Sequence, residues 1–92
     1  MSVTPEQLRN AGTLIGAAPT LRDAATQCRE RHPEVRTLLV DAMDMRGETA
    51  ALKLGARSVY LAASNGHCWS ITQRPEEADA LILTEDEPDG NR

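Results

Sequence analysis

The spacing of apolar residues changes once along this chain, at Arg36, and that change decides the fold class. Before Arg36, apolar residues recur every three or four positions, which is the spacing of a helix with one buried face. After Arg36 they stand in short runs, such as residues 38–40 and 59–63, which are typical of strands. The sequence therefore predicts an α+β fold, in which N-terminal helices pack on a sheet that the rest of the chain forms.

Two helices are predicted in the N-terminal part. Thr4 and Gln7 form a capping-box pattern, with proline between them at the first helical position, and predict a helix over about residues 5–15. Thr20 has the character of a second N-cap, and Pro33 ends the helix that follows it. The short link between the two helices predicts an αα-hairpin.

The remaining residues predict four strands and one more helix. The strands are expected near residues 36–41, 58–63, 67–72 and 80–84. Residues 48–55 are interpreted as a short third helix that Gly55 ends. The last three strands are expected to form an antiparallel meander, because their connections are too short for a parallel crossover. The complete prediction is a two-layer sandwich, with the αα-hairpin and the third helix on one face of a small, mostly antiparallel four-stranded sheet.

The Asn-Gly pair at residues 65–66 predicts a hairpin, for which two registers compete. A two-residue turn would pair Ala63 with Cys68 and mix polar and apolar side chains on both faces. A three-residue loop that begins one residue earlier would pair Ala63 with His67 and gather the apolar side chains, Trp69 included, on one face. The second register is preferred because it separates the two kinds of side chain.

Length and composition indicate a single small domain. A chain of 92 residues buries one modest core, and its aromatic content is 2% without any Phe, so aliphatic side chains must fill that core. Tyr60 and Trp69, as the two aromatic residues, are expected to anchor the packing. Residues 1–85 are predicted as one domain, and residues 86–92 as a disordered acidic tail.

Charge and hydropathy exclude several classes of partner. The net charge is −4 and the basic residues do not cluster, so nucleic acid is not expected to bind. No apolar run is long enough for a membrane span, and the N-terminus lacks a signal-peptide pattern. We therefore expect a cytoplasmic protein that does not bind membranes and whose thiols stay reduced.

The sequence does not predict a catalytic, metal or cofactor site, and we expect a protein without enzymatic activity. A structural zinc site usually takes four Cys or His ligands that arrive in paired short spacings. Cys28 and His32 are four residues apart and could share a helix face, but only one more cysteine and one more histidine exist. His67 and Cys68 are adjacent on a predicted strand, so their side chains should point to opposite faces. Cys68 remains a candidate redox residue. The alternative function is a small metal- or redox-responsive protein that uses Cys28, His32 and Cys68.

The loop after the first strand offers a candidate interaction surface. Met43 and Met45, two flexible apolar side chains, alternate there with the charged Asp44 and Arg46. Methionines of this kind suit adaptable contacts with another protein, although filling gaps in a core is their more frequent use. The leading hypothesis is therefore a small accessory or protein-interaction module. An unpaired edge strand would also offer a route to a homodimer.

Three segments, "RERHPEVRTLLVDAMDM", "VYLAASNGHCWSIT" and "PEEADALILTE", together resemble a family of small proteobacterial proteins of unknown function that are encoded among nitrogen-fixation genes. The resemblance covers roughly residues 29–85. It rests on Pro33, Asp44, Tyr60, Leu61, Gly66, Cys68, Thr72, Ala78 and Leu81. It implies a cytoplasmic accessory protein near nitrogenase assembly or regulation, and it assigns no site residue because the family brings no established activity.

Overall fold

The computed structural model describes residues 3–65 and 68–86, with the backbone alone at residues 65 and 68. It confirms an α+β fold, in which two helices cover one face of a mixed five-stranded sheet. The helices are α1 (Pro5–Ala17) and α2 (Leu21–Arg31). The strands are β1 (Arg36–Leu39), β2 (Leu52–Leu54), β3 (Arg57–Asn65), β4 (Cys68–Thr72) and β5 (Ala80–Glu85). No helix in the described part of the chain is long and apolar enough to cross a membrane.

Local capping fixes the start of both helices, as predicted. The Thr4 Oγ1 atom accepts a hydrogen bond from the Gln7 amide at 3.0 Å, and the Gln7 side chain accepts one from the Thr4 amide at 3.0 Å. The Thr20 hydroxyl accepts from the Asp23 amide at 3.0 Å. These bonds satisfy amide groups that the first turn of a helix leaves without partners. Both predicted helices are confirmed, and α1 extends to Ala17.

The order of the strands differs from the predicted meander. The sheet order is β1-β5-β3-β2, and β4 joins the same side of β3 as β2, farther along that strand. Strand β5 is antiparallel to β3, and β1 is parallel to β5. Strands β4 and β5 therefore run in the same direction on opposite sides of β3. Their short connection suffices because β4 ends beside Leu61, close to the start of β5 beside Ala62.

The predicted third helix is wrong, because its two leucines belong to a strand. Leu52 and Leu54 are half-buried against the helix-side core, and Lys53 between them is exposed. This alternation is the period of a strand with one buried face. Gly55 has a positive φ of +67° and begins a two-residue turn into β3, instead of ending a helix. The sheet accordingly has a fifth strand that the sequence did not predict.

Each face of the sheet has its own core cluster. On the helix side, side chains of β3 and β5 pack with those of α1 and α2. This cluster contains Val3, Ala11, Ile15, Ala18, Ala24, Ala25, Cys28, Val35, Val59, Leu61, Ala78, Leu81 and Leu83. On the helix-free face, a smaller cluster contains Met45, Tyr60, Ala62, Ala80 and Ile82. The connection between β1 and β2 crosses this second face, because its ends lie on opposite edges and its Met45 packs there.

Tyr60 anchors a core cluster as predicted, but Trp69 does not. Tyr60 is buried on the helix-free face, whereas 42% of Trp69 is exposed on that same face. The Arg36 guanidinium carbon lies 5.7 Å from the centre of the Trp69 ring, in a cation–π contact. Trp69 is exposed because the β1–β2 connection packs over Tyr60 and leaves the β4 end of the face uncovered.

Both predicted registers of the β3–β4 hairpin are wrong. Ala63 pairs with Ser70, not with His67 or Cys68. This register differs by two residues from that of the two-residue turn, so it produces the same mixed faces. Trp69 consequently shares a face with Ile71, and Ser70 and Thr72 point to the helix side. Packing of β3 between β5 and β4 outweighs the separation of apolar side chains within the hairpin itself.

Two short 3₁₀ turns complete the fold. Residues Ala42–Met45 form the first, and the Asp41 side chain accepts a hydrogen bond from the Met43 amide at 3.2 Å. Pro75–Glu77 form the second. At the end of the described chain, the Asp86 amide donates to the Ala56 carbonyl at 2.8 Å, so Asp86 joins the β2–β3 turn. The rest of the predicted tail, residues 87–92, lies outside the described residues.

Candidate functional site

A groove of about 730 Å³ opens at the end of the sheet where the parallel strands β1 and β5 both terminate. Residues 40–43 and 45–48 form one wall, and Leu21 from the first turn of α2 contributes to the lining. Tyr60 and the end of β5 complete it. We call this feature the 41–48 groove. It contains most of the predicted interaction surface.

The predicted surface residues have different surroundings. Met43 and Met45 both line the groove, but 69% of Met43 is exposed and only 7% of Met45. They differ because residues two positions apart on a 3₁₀ turn point in different directions. Arg46 lines the groove and is exposed, and Asp44 is exposed on the same turn. Met45 therefore supports the groove from the core cluster, and the role of these four residues in binding another protein stays a prediction.

Negative charge dominates the lining of the groove. Its carboxylates are those of Asp41, Glu48, Glu85 and Asp86. Arg46 is the one basic side chain among the described residues that line it. Glu85 is paired with the Arg57 guanidinium at 2.9 Å, and the other three carboxylates form no ion pair within residues 3–65 and 68–86. The sequence did not predict this group, because it joins residues from separate segments of the chain.

Arg57 stabilises the wall behind the groove and was not predicted either. Its guanidinium donates hydrogen bonds to the carbonyl oxygens of Ile15 at 2.6 Å, Ala18 at 2.7 Å and Pro19 at 3.1 Å. These carbonyls lie in the last turn of α1 and directly after it, where a positive charge is favourable. The bond to Glu85 links the same side chain to β5. No local sequence pattern predicts the role of Arg57, because its hydrogen-bond partners are far away in the sequence.

Cys28 has an environment that opposes reactivity. It is fully buried in the helix-side core. Burial raises the pKa of the Cys28 thiol above its usual range, and the neighbouring Arg29 charge only partly opposes this effect. The thiolate is the nucleophilic form, so a buried, protonated thiol reacts slowly.

The remaining residues of the metal or redox hypothesis are not brought into a described site. His32 is the C-cap residue of α2, and its ring atom Nε2 is buried without a hydrogen-bond partner among the described residues. Within those residues, no three His, Cys, Asp or Glu side chains are grouped so that they could hold a metal ion. The side chain of Cys68 lies outside the described atoms. Its redox role therefore stays a prediction.

The outer edge of β1, a candidate surface for a homodimer, is partly occupied. The amides of Arg36 and Val40 donate towards β5, so the backbone groups of Thr37 and Leu39 point outwards. The Arg29 guanidinium donates to the outward Thr37 carbonyl from Nη2 at 2.8 Å and from Nε at 3.3 Å. A side chain that already donates to an outward carbonyl of an edge strand opposes pairing of that edge with another strand. Dimerisation through this edge stays a prediction.

Comparisons with known proteins do not assign a family: no family model, no curated protein and no solved structure is significantly similar to this chain. The functional argument therefore rests on the geometry and chemistry of the groove.

Proposed function

We propose that this protein is a small, non-enzymatic cytoplasmic accessory module that binds another protein through the 41–48 groove. The main supporting observation is Met43, whose side chain is 69% exposed in the wall of a groove of about 730 Å³. Met43 belongs to neither core cluster, and methionine adapts well to the surface of a partner. Met43 is accordingly the residue that we expect the partner to contact.

The groove has a wall that is shaped before a partner arrives. In residues 41–48, the Asp44 amide donates to the Asp41 carbonyl at 2.9 Å, and the Glu48 amide donates to the Met45 carbonyl at 3.1 Å. Met45 and Tyr60 fix the inner side by packing in the helix-free cluster. A wall held in this way loses little conformational entropy on binding, which favours affinity.

The resemblance of residues 29–85 to proteins encoded among nitrogen-fixation genes suggests where to look for the partner. We propose nitrogenase assembly or regulation as the first cellular setting to examine. Growth with and without fixed nitrogen then provides two conditions under which the same tagged protein is compared.

The test is affinity capture of the tagged protein from its host, followed by identification of the retained proteins. The Met43→Ser variant removes the exposed apolar side chain of the groove. Leu39→Ser is the matched control, because Leu39 is also exposed but does not line the groove. We expect a partner that wild type and Leu39→Ser retain and that Met43→Ser loses, with unchanged thermal unfolding of all three. Equal capture by the three proteins would refute binding through the groove.

A further inference from the structure

We infer that the segment of the partner that enters the 41–48 groove is basic, with a long apolar side chain flanked by lysine or arginine residues. This inference rests on the function proposed above and adds the chemistry of the partner. It combines two properties of the groove, an excess of carboxylates and an apolar lining.

The excess of charge comes from two parts of the chain. Asp41 and Glu48 lie seven residues apart in the β1–β2 connection, and Asp86 follows β5. None of them has an ion-pair partner within the described residues, and Arg46 is the only cation among the described residues of the lining. The groove therefore attracts positive charge and repels phosphate, which disfavours nucleic acids and anionic lipids as occupants.

The separate positions of these carboxylates favour a peptide over a metal ion as the occupant of the groove. A divalent cation needs several oxygen ligands converging on one point at short distance. In the described part of the chain, no three acidic, cysteine or histidine side chains are grouped in that way. Separate carboxylates around one groove instead match separate cationic side chains, spaced along one segment of polypeptide.

The inner surface of the groove explains why the partner segment is expected to carry a long apolar side chain. Leu21, Val40, Met45 and Tyr60 contribute apolar atoms to the lining, and Met43 extends this surface outwards. Sites that bind small molecules usually have volumes of roughly 300–1,000 Å³, and the volume of about 730 Å³ falls within this range. One long aliphatic or methionine side chain fits such a space. The rim then contacts the residues before and after it.

The test uses three synthetic peptides of about a dozen residues, similar in length to the segments that grooves of this kind bind. They carry the same central Leu and Met residues, flanked by Lys, by Gln or by Glu. Binding to the full chain is measured by fluorescence anisotropy at low and high salt. We expect the Lys peptide to bind most tightly and to weaken as salt increases, because exposed charges are screened.

Charge-reversal variants locate the binding site. Glu48→Lys introduces a positive charge into the lining, and we expect it to weaken the Lys peptide by about tenfold. Glu76→Lys is the control, because it makes the same change of net charge at an exposed residue outside the lining. It should have a much smaller effect. Thermal unfolding of both variants confirms that they are folded.

Two results would overturn the inference: equal binding of the Lys and Gln peptides, or equal weakening by Glu48→Lys and Glu76→Lys. If a natural partner is still captured in a Met43-dependent manner, either result leaves the proposed function intact and refutes only the basic character of the partner. Capture that does not depend on Met43 refutes the proposed function itself. The two failures are therefore distinguishable.

Discussion

Arg57 joins more separate parts of this molecule than any other side chain discussed above. Its side chain is 13% exposed, and it contacts the end of α1 and the end of β5 at the same time. Hydrogen bonds from a charged donor contribute more than neutral ones, and removing this donor leaves two partly buried carbonyls, those of Ile15 and Ala18, without this partner.

We expect Arg57→Met to lower the free energy of unfolding by about 2–4 kcal/mol. Methionine substitutes for the aliphatic part of the arginine side chain but has no hydrogen-bond donors. Urea denaturation measures the change. The control is Arg74→Met, which removes a guanidinium that is 69% exposed and pairs with Glu77 at 3.6 Å. An exposed pair of this kind contributes at most about 1 kcal/mol. Equal losses in the two variants would contradict the structural role of Arg57.

Thr37 offers the opposite case, a buried hydroxyl that is not satisfied. Its Oγ1 atom is buried without a hydrogen-bond partner among the described residues. We expect Thr37→Val to raise the free energy of unfolding by about 1 kcal/mol, since it removes that hydroxyl and keeps the shape of the side chain. Thr72→Val is the control, because it removes a hydroxyl that does have a partner: the Thr72 hydroxyl donates to the Glu77 carboxylate at 3.0 Å. A lower melting temperature for Thr37→Val would show that its hydroxyl has a partner.

The buried thiol of Cys28 is expected to make the free energy of unfolding depend on pH in the alkaline range. Burial raises the pKa of its thiol in the folded state, so the folded chain keeps the proton to higher pH than the unfolded chain does. The stabilisation is fully present below the unfolded pKa of roughly 8.5 and is lost as pH rises above it. We expect the free energy of unfolding of Cys28→Ala to fall less steeply above that pH than in wild type. Parallel curves would refute the assignment.

At the scale of elements, the two N-terminal helices were predicted correctly from local signals, whereas the pairing of the strands was not. The capping box of Thr4 and Gln7 acts within one turn, so a sequence pattern suffices to place α1. Strand β2 lies in a segment whose residues favour a helix, and its pairing with β3 overrides that preference. The 41–48 groove itself was not predicted, although Met43, Met45 and Arg46 of the predicted interaction surface line it. Leu21 and Asp86 reach it through the sheet topology, which the wrong meander did not provide.

Two glycines in different elements are expected to respond to alanine in opposite directions. Gly16 lies inside α1, and a Cβ atom added there would meet no heavy atom within 4 Å. We expect Gly16→Ala to stabilise the protein by about 0.5–1 kcal/mol, because alanine favours the helix. Gly55 has a φ of +67°, and Gly55→Ala should cost about 1–2 kcal/mol. Chemical denaturation of both variants checks the pair, and a shift in the same direction would contradict this assignment.

At the scale of the whole molecule, the two core clusters are joined through the same strands. Alternate residues of β3 and β5 point to opposite faces: Val59 and Leu83 pack under the helices, while Tyr60 and Ile82 pack on the helix-free face. If either cluster unfolds, β3 and β5 lose part of their packing, and the other cluster is built on the same two strands. This arrangement predicts one cooperative unfolding transition, as is usual for a small domain.

The chain contains two natural probes for this prediction, one on each side of the sheet. Helix α1 and helix α2 dominate the circular dichroism, and Trp69, the single tryptophan, reports from the helix-free face through its contact with Arg36. We expect the two signals to give the same midpoint in urea. Leu83→Ala, a deletion in the helix-side core, should shift both midpoints equally and cost about 2–5 kcal/mol. Separate midpoints would mean that the helix-free face unfolds independently, and that its small cluster is held by the β1–β2 connection more than by the shared strands.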